Sequence, residues 1–253
     1  MRETLSLSML ALVLVACGPM ESESAADSLG RAKAARGGGG GGGGGRFEIG
    51  ANNLFFNPTP ATGQVSLSGF VVVTGNFVLP DDTVVTANGA VLLRDPMLNG
   101  SYWRVDPAGA QPQVGDNGQL TLSASSASSK LSRTLTFACA PDETITATPA
   151  EGSSLTGVAT LSLSWAASLT SRVTSVPVPE NASALLWGYD SATNALGNAV
   201  TFVYAVDKLG TTIVVGPTDS PGFAVEVRWP GQYLLDGQSG GQCGRVKRLA
   251  FAQ

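Results

Sequence analysis

The side chains that could do acid–base or nucleophilic work are unevenly supplied in this chain. There is no histidine among its 253 residues, which removes Ser-His-Asp and Cys-His catalysis, imidazole metal sites and histidine pH switches. One serine nevertheless stands in a suggestive frame. Gly237-Gln238-Ser239-Gly240-Gly241 matches the Gly-x-Ser-x-Gly pattern of a nucleophile elbow. A serine hydroxyl attacks only with a base beside it, and the bases on offer are Lys208 and Lys247. A lysine serves as a base when desolvation lowers its pKa, and nothing around either one suggests such a pocket. The segment reads as a glycine-rich loop tied down by Cys243, and no catalytic residue is expected.

Carboxylates are the second candidates. Asp81-Asp82, Asp95, Asp106, Asp116 and Asp142-Glu143 could build a calcium site or a glycosidase acid–base pair. Their spacings fit no calcium loop. Most adjoin Pro, Gly or Asn, where an aspartate bonds nearby backbone and caps a turn. No metal site and no cofactor are expected. Aromatic rings are the third. Trp165 shares a strand face with Leu161 and Leu163, Trp229 with Phe223, Val225 and Val227, and Trp187 with Leu185 and Tyr189, so all three are assigned to the core. Tyr102-Trp103 differs, because neighbouring strand residues point to opposite faces. One of these two rings is expected in solvent as a possible ligand contact.

The elements that position these residues begin with an export signal. Arg2 precedes an apolar run from Leu5 to Ala16, broken by Ser6 and Ser8. Twelve residues rise about 18 Å as a helix, against a hydrocarbon core of about 30 Å. That is the hydrophobic region of a signal peptide. At its end, Leu14-Val15-Ala16-Cys17 resembles the lipobox of bacterial lipoproteins, although Glu3 offsets Arg2 and thins the basic region. The resemblance implies removal of residues 1–16 and acylation of Cys17. With Gly18 rather than Asp following, it implies an outer-membrane rather than an inner-membrane location. The competing reading is an ordinary secretory signal with a coincidental cysteine.

Residues 17–46 hold almost no large apolar side chain beyond Met20 and Leu29, and include nine consecutive glycines, Gly37 to Gly45. Such a stretch cannot bury enough surface to offset its ordering entropy. It is expected to be a disordered tether with an end-to-end distance of about 30 Å. A phosphate cradle would need a Lys-Ser/Thr and a following helix, and neither is present. The net charge of −4 argues against nucleic acid as a partner.

From Phe47 the composition becomes that of an all-β protein. Period-2 alternation marks Gln64–Ser68, Gln119–Ser123 and Leu161–Trp165, with apolar runs at Phe70–Val73, Ala90–Leu93, Val200–Val206, Ile213–Val215 and Phe223–Trp229. Turn signals stand at Asn88-Gly89, Asp116-Asn117-Gly118, Leu209-Gly210 and Pro230-Gly231. The 207 residues from 47 to 253 make one large β-sandwich or two smaller ones, and two are favoured, 47–140 and 141–253. The stretch Thr144-Ile145-Thr146-Ala147-Thr148-Pro149, continuing to Leu161-Ser162-Leu163-Ser164-Trp165, resembles the opening strands of bacterial immunoglobulin-like modules. Of the three cysteines, Cys139 and Cys243 remain once Cys17 is lipidated, and in an oxidising compartment they are expected to pair and staple the two ends of the second module. Two buried free thiols are the alternative.

The function expected from all this is a non-enzymatic, membrane-anchored envelope or surface lipoprotein with a binding, adhesion or scaffold role. Its partners would be the membrane, through Cys17, and an envelope protein or glycan. The alternatives are a tethered hydrolase using carboxylates or a Ser-Lys pair, or a glycan-binding module.

Overall fold

The computed structural model describes residues 46–95, 101–114, 118–165, 182–204, 210–231, 234–235 and 240–253. Cys17, the signal segment 1–16 and all of the tether but Arg46 lie outside them. The described residues form sixteen strands and no helix, so the chain is all-β, with sheets packed face to face as sandwiches.

In the first half, β1 (Phe47–Phe56) pairs antiparallel with β2 (Leu67–Gly75), which pairs with β6 (Tyr102–Arg104) and through it β5 (Leu93–Arg94). A second sheet faces them, in the order β4 (Ala90–Val91), β3 (Val84–Ala87), β7 (Gln119–Ser126), β8 (Leu131–Ala138). Asn88 and Gly89, both at positive φ (44° and 83°), turn β3 into β4. That is the twist a two-residue hairpin needs. Alternation along β7 sends Leu120, Leu122 and Ala124 inward and lines Thr121 and Ser123 outward. There their hydroxyls meet Thr136 and Thr134 at 3.1 Å. Phe47, Ile49, Val71, Val73 and Trp103 fill the space opposite.

Two local irregularities explain where the sequence pattern misleads. Within β1 the inward positions change from odd, Phe47 and Ile49, to even, Leu54 and Phe56. A bulge at Asn53 (φ 50°) inserts one residue and shifts the register against its neighbours, which keeps both apolar sets in the core. The alternation at Gln64–Ser68 is strand only from Leu67. Gln64 spends its side-chain oxygen on the Ala61 N–H at 3.3 Å, and residues 57–66 form a loop.

In the second half, β9 (Ile145–Thr148), β10 (Thr160–Trp165) and β13 (Gly210–Val214) make a three-stranded sheet in the order β13-β10-β9. Facing it are β11 (Ser183–Asp190), β12 (Ala195–Tyr204), β14 (Gly222–Trp229) and β16 (Gly240–Ala252), the short β15 (Leu234–Leu235) pairing with β16. The chain crosses between the sheets after β10, β12 and β13, the connectivity of an immunoglobulin-like sandwich. Leu161, Leu163, Ile213, Leu186, Val225, Val227 and Trp229 are its core. Full burial of each large apolar side chain contributes about 1.5–3 kcal/mol.

The thirteen residues of β16 serve both halves. Gly240–Arg245 run parallel to β1, and Arg245–Ala252 run antiparallel to β14. One nine-stranded sheet therefore extends across the fold, eight strands in the order β12-β11-β14-β16-β1-β2-β6-β5 with β15 as the ninth beside β16. The parallel contact requires glycine. A Cβ on Gly241 would collide with Ala51, and one on Gly244 with the Phe55 ring and the Trp229 carbonyl. The boundary expected near Pro141 falls between β8 and β9, and β16 crosses back over it.

Candidate functional site

Ser239, with Gly237 and Gln238, lies outside the described residues, as do Lys208 and Asp116. The last two glycines of that motif open β16 and pair with Gly50 and Ala51. Close approach to Ala51 accounts for Gly241. Lys247 donates to the Glu143 carbonyl at 2.8 Å and stands 3.4 Å from Asp142.

Cys139 and Cys243 form a disulfide with Cα atoms 4.4 Å apart. Both are buried in the first core. The bridge thus differs from the expected staple across the second half. It fastens the first part of β16 to the end of β8, beside a 2.7 Å hydrogen bond from Ala140 N to the Cys243 carbonyl.

Most of the described acidic groups are engaged in turns and ion pairs. Asp106 accepts from Ala108 N at 2.9 Å, and Asp190 from Ala192 N at 2.9 Å and the Thr193 hydroxyl at 2.8 Å. The Thr193 hydroxyl, followed by the Ala192 N–H, holds the Asp190 carboxyl below its ordinary pKa. Asp82 reaches across to the β7–β8 turn, accepting from Ser128 N and from the hydroxyls of Ser126 and Ser128 at 2.7–2.8 Å. These bonds, the backbone one foremost, lower its pKa. Asp142 lies between Arg245 and Lys247, Asp95 beside Arg104, and Asp81 beside Arg94. Among the described residues no three potential metal ligands converge.

Of the ring pair, Trp103 is 1% exposed and offers no surface to a ligand. Tyr102 remains on the outer face of the sheet, edge-on to Phe70 with centroids 5.9 Å apart. Trp165 and Trp229 are core residues as expected. Trp187 is not. On β11 it is Ala184, Leu186 and Gly188 that face the core, while Leu185, Trp187 and Tyr189 take the opposite, half-buried face.

That outer face carries two features the sequence analysis missed. On β12, Phe202 and Tyr204 stand opposite Leu185 and Ser183 with 47% and 68% of their surface exposed. Their rings meet edge to face at 4.8 Å and 83°. Aromatics two apart within Val200–Val206 were a usable signal, hidden because the whole run is apolar.

The other feature lies on β14 and β16. Glu226 is fully buried; its Oε1 lies 2.9 Å from Arg248 Nη2 and its Oε2 3.2 Å from Arg228 Nη2. Arg248 also donates to Asn194 Oδ1 at 3.0 Å and to Gln64 Oε1 at 3.2 Å. The 57–66 loop is thereby tied to the β11–β12 turn, where Thr62 N and its hydroxyl donate to the Asn194 and Thr193 carbonyls at 2.8 and 2.7 Å. A polar clasp straps the first half over the outer face of the second.

The chain matches no protein-family model, and its sequence matches no curated protein.

Proposed function

We propose that this is an exported bacterial lipoprotein, anchored at a membrane through acylated Cys17, whose joined sandwiches serve a binding or scaffold role rather than catalysis. The observation that carries the binding role is the outer face of β11 and β12, where Phe202 and Tyr204 expose large apolar area on strands without a basic residue. Supporting the non-catalytic part, the carboxylates of Asp82, Asp106, Asp142 and Asp190 are occupied by turn N–H groups, hydroxyls and cations. Supporting the anchor are the Leu14–Cys17 motif and the glycine-rich composition that follows it.

The anchor is tested by Cys17→Ser in the full chain. The variant is expected to lose palmitate labelling and leave the membrane fraction, and equal fractionation with equal labelling refutes it. The non-catalytic reading is tested with a fluorophosphonate probe. Labelling that disappears in Ser239→Ala overturns it.

A further inference from the structure

We infer that lipid transfer to the Cys17 sulfur has to come before oxidation of Cys139 and Cys243, because it removes the one thiol that competes for their pairing. The inference rests on the anchor reading above, and gives that modification a place in a reaction order and a second purpose.

The chain has three cysteines, and the fold bridges the last two. That bridge lies inside the first core, with Cys139 5% and Cys243 0% exposed. Once made there, it is closed to attack by an outside thiolate. The hazard comes earlier. Cys243 stands on β16 opposite Leu54 of β1, and its carbonyl accepts from Ala140 N at 2.7 Å. Cys139 therefore gains its partner, and Cys243 its burial, only when the last strand of the chain docks. Until then Cys139 is an unpaired thiol, and Cys17 already precedes it in the chain.

Chain statistics do not protect the correct pair. The native bridge spans 104 residues. A bridge from Cys17 to Cys139 closes about 120 residues, and one from Cys17 to Cys243 about 230. Closure entropy grows only with the logarithm of loop length, so the Cys17–Cys139 loop forms just about 1.3 times less readily than the native one. With both wrong loops counted, about half of the first bridges in an unfolded chain involve Cys17. Either of them leaves β16 without its fastening to β8.

A thioether at Cys17 ends the competition. Its sulfur takes a diacylglyceryl group from a phospholipid: a C–S bond forms, the C–O bond to the headgroup phosphate breaks, and the thiol proton and the headgroup leave. The product has no S–H to oxidise. Cys139 and Cys243 then give two protons and two electrons to a protein disulfide, which is reduced to a dithiol, and their own S–S bond forms.

Full chain synthesised without membranes keeps Cys17 as a thiol. It is oxidised by a protein disulfide oxidant with no shuffling thiol, trapped by alkylation and digested unreduced. Mass spectrometry is expected to find Cys17 in about half of its bridges. In Cys17→Ser the yield of the Cys139–Cys243 bridge is expected to rise about twofold, although that variant carries no lipid either. Pulse–chase labelling in bacterial cells is expected to put palmitate on the wild-type chain before the Cys139–Cys243 bridge appears. A membrane-free wild type that pairs as cleanly as Cys17→Ser overturns the inference, as does a chase in which the bridge precedes the label. A wild type never labelled in cells fails the anchor reading itself, whereas a labelled one with either of those two results fails only this inference.

Discussion

Replacing Glu226 by glutamine removes the negative charge that lies between Arg248 and Arg228. The carboxylate is fully buried and 7% of the Arg248 side chain is exposed, but 32% of the Arg228 side chain is. The Arg228 contact is screened and contributes about 0–1 kcal/mol. The Arg248 contact is not, and removing one member of a buried ion pair costs about 3–5 kcal/mol, because the other charge stays buried without compensation. Glutamine still accepts a hydrogen bond, so the lower figure, about 3 kcal/mol, is the expectation. At about 2–4 °C per kcal/mol for a folded unit of this size, the melting temperature falls by about 6–12 °C. Denaturant unfolding followed by tryptophan fluorescence measures the loss. Hydrogen exchange locates it, with faster exchange expected at residues 61–64 and little change in β7. A loss below about 1 kcal/mol, the level of a surface pair, would refute the reasoning, as would exchange that rises uniformly. Replacing both partners, Glu226→Leu with Arg248→Met, should recover part of the loss.

Two further outcomes are expected. The Cys139→Ser, Cys243→Ser double variant opens a loop spanning 104 residues of sequence. It should lower unfolding free energy by up to about 4.7 kcal/mol, seen as an earlier denaturant midpoint, while non-reducing digestion of wild type recovers the two cysteines in one linked peptide pair. Asp82 and Asp190 have pKa values depressed from the ordinary 3.8 by their turn hydrogen bonds. Each therefore favours the fold above that value and loses its contribution as pH falls through the depressed one. Asp82→Asn with Asp190→Asn should flatten the acid limb of a stability profile below pH 3.8 and leave its shape near neutrality unchanged.

The parts of this fold legible in the sequence are those in which one strand face is apolar and the other polar. Leu120-Thr121-Leu122-Ser123 and Leu161-Ser162-Leu163-Ser164 announce both strand and inward face, and Asn88-Gly89 announces its hairpin. Legibility fails where both faces are covered. β14 is buried on nearly all positions because the 57–66 loop lies over its outer side, so Glu226 sits in an apolar run with no local sign of its partners. On β11 the larger side chains, Leu185, Trp187 and Tyr189, face outward and the smaller Ala184 and Gly188 face in. A rule that sends the largest residues to the core places Trp187 on the wrong side. The pairing of β16 with β1 was illegible for another reason. It joins residues as far apart as Gly50 and Gly240, and nothing local in either segment encodes that distance.

Sharing β16 also has a consequence for how the chain is made. A ribosome delivers the β1 residue Gly50 ahead of its β16 partner Gly240 by 190 residues. Until then the first half lacks its parallel neighbour and its disulfide partner, and the second lacks the strand beside β14. Neither half can finish early and wait for the other. Long-range pairing of this kind slows folding and prolongs the exposure of strand edges. Cutting the chain at residue 140 to obtain two portable modules would give an amino-terminal piece with an open slot at β1, and a carboxy-terminal piece with a loose half-strand and a free thiol.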